Sequence, residues 1–250
     1  MQNAELIGLD RSVIVAADVS KEYLLRLVTA TSGISGIRAI KYGISLGLKG
    51  LDQAITLARK CYPEGEAPIA IYDHQKAGND IPGMGKTYAR TLADCGADAA
   101  IIFPFTGPAT QEAWTNALDS AGLSVIVGGI MTHEKFLQSE GGYISDDAPE
   151  RIYRLAAKMG VRHFVVPGNK LAWVKKIKAI LDEELGEGNY VLYAPGFITQ
   201  GGDLSECGLV AGKKFHGIVG GGIYGKDQIN TEAQMRAAAL ECTSKLGITA

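Results

Sequence analysis

The sequence predicts an α/β protein folded as a single (β/α)8 TIM barrel spanning residues 1–250. Three observations carry this expectation. Short β-rich apolar runs recur eight times, a helical pattern lies between successive runs, and no Pro-, Ser- or Gly-rich linker divides the 250 residues. Eight strand–helix alternations in one chain of this length fit a closed parallel barrel. A doubly wound open sheet is the alternative reading.

The runs are Val13–Ala17, Ile37–Tyr42, Ile69–Tyr72, Ala99–Phe103, Ser124–Val127, His163–Val166, Tyr190–Tyr193 and Gly217–Val219. They do not alternate apolar with polar residues, which suits strands covered on both faces. Between them, KEYLLRLVTATSG, LDQAITLARKCY, GKTYARTLADCG, APERIYRLAAKMG, NKLAWVKKIKAILDEEL and TEAQMRAAALECTSKLG follow the 3.6-residue period of amphipathic helices. APERIYRLAAKMG carries Pro149 in its first turn and Gly160 at its end, a matched start and stop pair.

Bulk composition narrows the function. The chain is 46% hydrophobic and 21% charged, with a net charge of −2. That balance leaves no basic footprint for nucleic acid. No apolar run approaches the ~18 residues of a membrane span, and MQNAELIGLDRS lacks a basic-then-apolar leader pattern. A cytoplasmic protein without nucleic-acid or membrane partners is expected. Cys61, Cys95, Cys207 and Cys242 lie far apart and make no paired metal spacing. Cys95 and Cys242 fall in helical patterns and read as buried, reduced thiols. His74, His133, His163 and His216 are scattered, so no zinc-type site is expected. Glycines cluster at 128–129, 141–142, 196, 201–202 and 220–222, mostly after apolar runs. That placement suggests close backbone approach to a ligand.

In such a barrel, chemistry gathers at the C-terminal ends of the strands. Those ends carry Asp18, Lys41, then Asp73 with Lys76 and Asp80, then Thr132 and His133, Pro195–Gly196, Gln200–Asp203 and Gly220–Tyr224. The first three strands thus offer alternating anions and cations. A lysine between two carboxylates stays protonated, because the opposite charges counter desolvation, and it can deliver a proton to a forming carbanion. The plainer reading is that Asp18 and Lys41 simply pair and seal the barrel top. Gly201–Gly202 before Asp203, and the three glycines of IVGGGIYG, resemble a phosphate cradle on the last two strand ends. Two tight turns with left-handed glycines are the plain alternative.

Taken in order, these pieces resemble orotidine 5′-monophosphate decarboxylases of the archaeal type, from about Val13 to Leu246. The matching residues are AADVS with Asp18, IKYG with Lys41, the cluster IYDHQKAGNDIP, GADAAIIFPF, Thr132–His133 of MTH, PG…QGGD and VG..IY. The resemblance implies decarboxylation of a nucleotide monophosphate without metal or organic cofactor. Lys76 would protonate carbon 6 of the pyrimidine, and Asp73 would sit beside the departing carboxylate. Asp18 and Lys41 would contact the ribose hydroxyls, and Thr132 would bind the pyrimidine amide. Gln200 with the backbone of Gly201, Gly221 and Gly222 would hold the phosphate, beside Pro195. Asp80 and Ile81 would reach the neighbouring active site of a homodimer. Related enzymes that use magnesium on sugar phosphates typically carry Glu at the strand-two position, where this chain has Lys41. A magnesium-dependent lyase with Asp18, Asp73 and Asp80 as oxygen ligands, and a barrel that binds nucleotide without turnover, are the competing readings.

Two features depart from the family pattern. The charged cluster is longer, with two residues between Asp73 and Lys76 and three between Lys76 and Asp80, so the loop must bulge and His74 or Gln75 can take new positions. Gly221 stands where the family has a phosphate-clamping Arg, which leaves the glycine amides, Gln200, and a nearby cation such as Lys226 or Lys170. Met84, where Thr is common, is a smaller difference.

Overall fold

All eight apolar runs become strands, and each pairs in parallel with its sequence neighbours until the last closes on the first. The computed structural model describes residues 5–74, 77–198 and 200–248. The strands are β1 (Arg11–Ala17), β2 (Ala39–Tyr42), β3 (Ile69–Asp73), β4 (Ala99–Ile102), β5 (Ser124–Gly128), β6 (His163–Val165), β7 (Val191–Ala194) and β8 (Phe215–Val219). The expected (β/α)8 barrel is therefore borne out.

Helices return the chain between strands: α1 (Lys21–Thr31), α2 (Ile44–Leu48) and α3 (Leu51–Lys60), then α4 (Gly85–Asp94), α5 (Pro108–Ser120) and α6 (Ala148–Lys158). They continue with α7 (Leu171–Leu185), α8 (Leu204–Ala211), the short α9 (Gly221–Tyr224) and α10 (Glu232–Lys245). Their ends follow sequence chemistry. Ser20 Oγ accepts from the Tyr23 amide at the start of α1, and Thr231 with Gln234 forms a capping box on α10. Pro149 opens α6, and Gly160 follows it at φ +88°, as their spacing predicts.

Strand side chains alternate between two destinations although nearly all are apolar. Ile14, Ala16, Ala39, Ile71, Ala99, Ile101, Ile126, Val165 and Ile218 fill the barrel interior. Val13, Val15, Ile40, Tyr42, Ala70, Tyr72, Val125 and Val127 pack outward against the helices. The period of two decides the site: Asp18, Lys41 and Asp73 each lie two residues beyond an interior position and share its direction.

Three expectations need correction. Strand eight begins at Phe215 rather than Gly217. His216 broke the apolar pattern, yet it is buried and its Nδ1 lies 2.7 Å from Ser12 Oγ on β1. Strand two begins at Ala39 rather than Ile37, because Ile37 still closes the preceding turn with its amide on Ile34 O. Cys95 is half-buried rather than buried, since it caps the C-terminus of α4 and only part of it is covered. All four cysteines are free thiols. Among the described residues, no helix is long and apolar enough to cross a membrane.

Candidate active site

The C-terminal mouth of the barrel holds a cavity of about 480 Å³, within the ~300–1,000 Å³ range of small-molecule sites. Its floor is ionic. Asp18 leaves the end of β1, Lys41 sits in β2, and Asp73 is the last residue of β3. Parallel pairing sets Lys41 beside Ala16 on one side and Ile71 on the other, which brings the three side chains together. Lys41 Nζ lies 3.2 Å from Asp18 Oδ2 and 3.2 Å from Asp73 Oδ2. The Lys41 side chain is only 7% exposed and that of Asp73 15%, whereas Asp18 opens to the cavity at 38%. Burial works against the Lys41 charge, but the Asp73 and Asp18 carboxylates outweigh it and raise the ammonium's pKa. Lys41 is thus a permanent buried cation shared between two anions. Gly43 is part of this arrangement, because a Cβ there would overlap Asp18 Oδ1.

One wall is apolar. Ile101, Phe103, Ile130, Met131, Val165 and Val166 line it, with Thr132 among them after β5. A second wall is built from loops after β7 and β8: Pro195, Gly196, Phe197 and Gln200, then Gly220, Gly221, Tyr224 and Lys226. Gly221 and Gly222 open α9, where the first amides of a helix have no intrahelical acceptor. Burial, then the Asp18 charge, pushes the Tyr224 hydroxyl up to about 12, so it stays a proton donor near neutral pH. Above this wall Ile198 holds φ +63°, a strained conformation for a β-branched residue, and its Cδ1 fills the space a Cβ on Gly222 would need.

The expected residues divide by place. Asp18, Lys41, Asp73, Thr132, Pro195, Gln200 and Gly221 all line the cavity. Gly201 and Gly222 belong to the loops behind its wall and do not line it. Lys76 and Gln75 lie outside the described residues. His74 turns away from the cavity, with its Nδ1 2.7 Å from Tyr72 Oη on the outer side of the barrel. Asp80 and Ile81 lie on the surface outside their own chain's cavity. Asp80 O accepts from Thr110 Oγ1, Asp80 Oδ1 accepts from the Ile81 amide, and Ile81 is 66% exposed.

The two cations named beside Gly221 part company. Lys170 Nζ donates to His133 O at 3.0 Å and to Glu140 Oε1 at 3.4 Å, away from the cavity. Lys226 lines the cavity and forms no ion pair among the described residues. Asp18 and Asp73 already share an ammonium, so a divalent cation between them would have to displace Lys41. Among the described residues no three His, Cys, Asp or Glu side chains converge as a metal site. Phe103 and Met131 are site residues the sequence reasoning passed over. The strand-end rule that found Asp18 would have found Phe103, which directly follows β4.

No protein-family model matches the chain. It is similar to the orotidine 5′-phosphate decarboxylase of Methanosarcina mazei, 32% identical over 217 residues that cover 85% of this chain and 87% of that protein. The enzyme of the same name from Methanosarcina barkeri is 31% identical over 234 residues, covering 92% and 94%. Among solved structures, orotidine 5′-monophosphate decarboxylase from Methanocaldococcus jannaschii, complexed with the inhibitor BMP, superposes with a TM-score of 0.76 at 22% identity, over 94% of this chain and 98% of that one. The Pyrococcus horikoshii enzyme gives 0.71 at 23%, over 94% and 99%. At these identities the structural likeness shows the fold.

Proposed function

Because the chain belongs to the orotidine 5′-phosphate decarboxylase family of carboxy-lyases, we propose that it converts orotidine 5′-monophosphate to uridine 5′-monophosphate with Lys76 as proton donor. The observation that carries this reading is the Asp18–Lys41–Asp73 network, with its buried ammonium, on the floor of a cavity that also has a cationic, glycine-lined wall. Such a cavity has two chemically different ends, as a nucleotide monophosphate does.

In this reading the ribose hydroxyls meet Asp18 and Lys41, whose locked ion pair gives fixed acceptors and donors. The pyrimidine ring lies on the apolar wall, with its amide edge at Thr132. Its carboxylate is directed to Asp73, and that juxtaposition of anions is relieved when the carbon–carbon bond breaks and carbon dioxide leaves. The electron pair stays on carbon 6, and an ammonium placed three residues after Asp73 in sequence protonates it. The role of Lys76 rests on that sequence position. Lys41, held charged between its carboxylates, keeps the Asp73 side chain aimed. The phosphate is held by Gln200, the Gly221 amide and the Lys226 ammonium, in place of a clamping Arg, with Gly201 and Gly222 shaping the backbone behind them. Asp80 and Ile81, exposed beside the mouth, are available to complete the site of a second copy in a homodimer. Of the carboxylates named for a magnesium-dependent lyase, Asp18 and Asp73 share the Lys41 ammonium and Asp80 lies outside the cavity.

The test is incubation of the purified chain with orotidine 5′-monophosphate, following the absorbance loss on decarboxylation, with and without EDTA. Turnover indifferent to EDTA is expected. Tight binding of uridine 5′-monophosphate with no turnover would overturn the catalytic reading, and turnover abolished by EDTA would overturn the metal-free one.

A further inference from the structure

Asn169 lies in the turn after β6, between the loop that carries Thr132 and the loop that carries Gln200. Its Nδ2 donates to Thr132 O at 3.2 Å and to Gln200 O at 3.5 Å. Its Oδ1 is buried and has no hydrogen-bond partner among the described residues. An unpaired buried acceptor is a cost that an apolar side chain of similar size would avoid. What the carboxamide retains is therefore its two donors.

The backbone around it is built for close approach. The Gly168 amide donates to Pro195 O at 2.9 Å, and the Gly202 amide to Gly196 O at 3.0 Å. Gly196 takes φ +107°, and a Cβ there would stand 3.2 Å from Thr132 Cγ2 and 3.3 Å from Asn169 Oδ1. Three strand-end loops thus meet at one point, and Asn169 bonds to both of the others. It does not itself line the cavity.

We infer that Asn169 is a positioning residue that holds the base-binding loop at Thr132 and the phosphate-binding loop at Gln200 at a fixed separation. The inference rests on the nucleotide reading above. Its consequence is specific. A ligand that engages both loops depends on Asn169, and one that engages only the base and ribose end does not.

The experiment compares the unaltered chain with Asn169→Asp, which keeps the size but turns a carboxylate toward two carbonyls, and with Asn169→Ala. In each, kcat/KM is measured for orotidine 5′-monophosphate, with Ki for uridine 5′-monophosphate and for uridine as competitors. Both variants are expected to lose at least tenfold in kcat/KM and to raise the nucleotide Ki at least tenfold, while the uridine Ki moves less than twofold. Equal shifts for nucleotide and nucleoside, or no shift, would overturn the inference. Loss of folding in both variants would make Asn169 a residue of the fold and overturn it as well. Absence of turnover in the unaltered chain would instead remove the reading beneath it.

Discussion

Acidification should destabilise this barrel from its N-terminal end, through His216. The ring is 2% exposed, its Nδ1 is 2.7 Å from Ser12 Oγ, and its centroid is 5.0 Å from that of Tyr193. Burial, and then the neighbouring His163, lower its pKa from 6.5 to about 3, against a smaller opposing pull from Asp10. The folded chain therefore keeps this ring neutral, while the unfolded chain takes up a proton below pH 6.5. Its stabilising contribution is fully present above pH 6.5 and is lost as pH falls toward 3. From pH 7 to pH 5 the linkage relation gives a loss of about 2 kcal/mol from this group alone. The assay is urea unfolding across that range for the unaltered chain and for His216→Asn, which keeps a polar partner for Ser12 without a titrating ring. The stability difference between the two should narrow by about 2 kcal/mol on going from pH 7 to pH 5. Curves that run parallel across the range would refute the argument, because the buried ring would then titrate alike in both states.

Four other outcomes follow from the site. Lys41→Met should cost about 1–3 kcal/mol of stability in denaturant melts, by removing the cation that Asp73 and Asp18 share, and should reduce turnover at least a hundredfold in the absorbance assay; near-normal turnover would contradict its place in the network. Lys76→Ala should lower kcat by several orders of magnitude with the melting transition retained, and a residual rate near normal would end its assignment as proton donor. Lys226→Ala should raise KM about tenfold with little change in kcat, the size of one charge-assisted hydrogen bond, and Gly221→Arg should lower KM in both backgrounds; an unchanged or raised KM for Gly221→Arg would mean that another group already fills the space.

Sequence pattern reached the ring of eight strands and the ionic floor because both depend on local periodicity. Asp18, Lys41 and Asp73 end apolar runs, and parallel register carries that order directly into space. The residues it missed depend on partners far along the chain. His216 broke the apolar run of strand eight because its partner, Ser12, sits on the opposite end of the sequence. The choice between Lys226 and Lys170 turned on Glu140, thirty residues from Lys170. Asn169 reads as an ordinary turn residue until its two carbonyl acceptors, on different loops, are seen together. The length of the 73–80 cluster was legible, but the outward turn of His74 toward Tyr72 was not, since it depends on which face of β3 each side chain takes.

The ions of the site come from β1 to β3, while the cationic, glycine-lined wall arrives with β7 and β8 and meets the ions across the β8–β1 seam, where Gly220 packs against Ala16. The two halves of the site are thus encoded at opposite ends of the chain and joined by the β8–β1 pairing. Any turnover at this site therefore requires the ring to be closed, because the cavity has both of its halves only when the final strand is docked on the first.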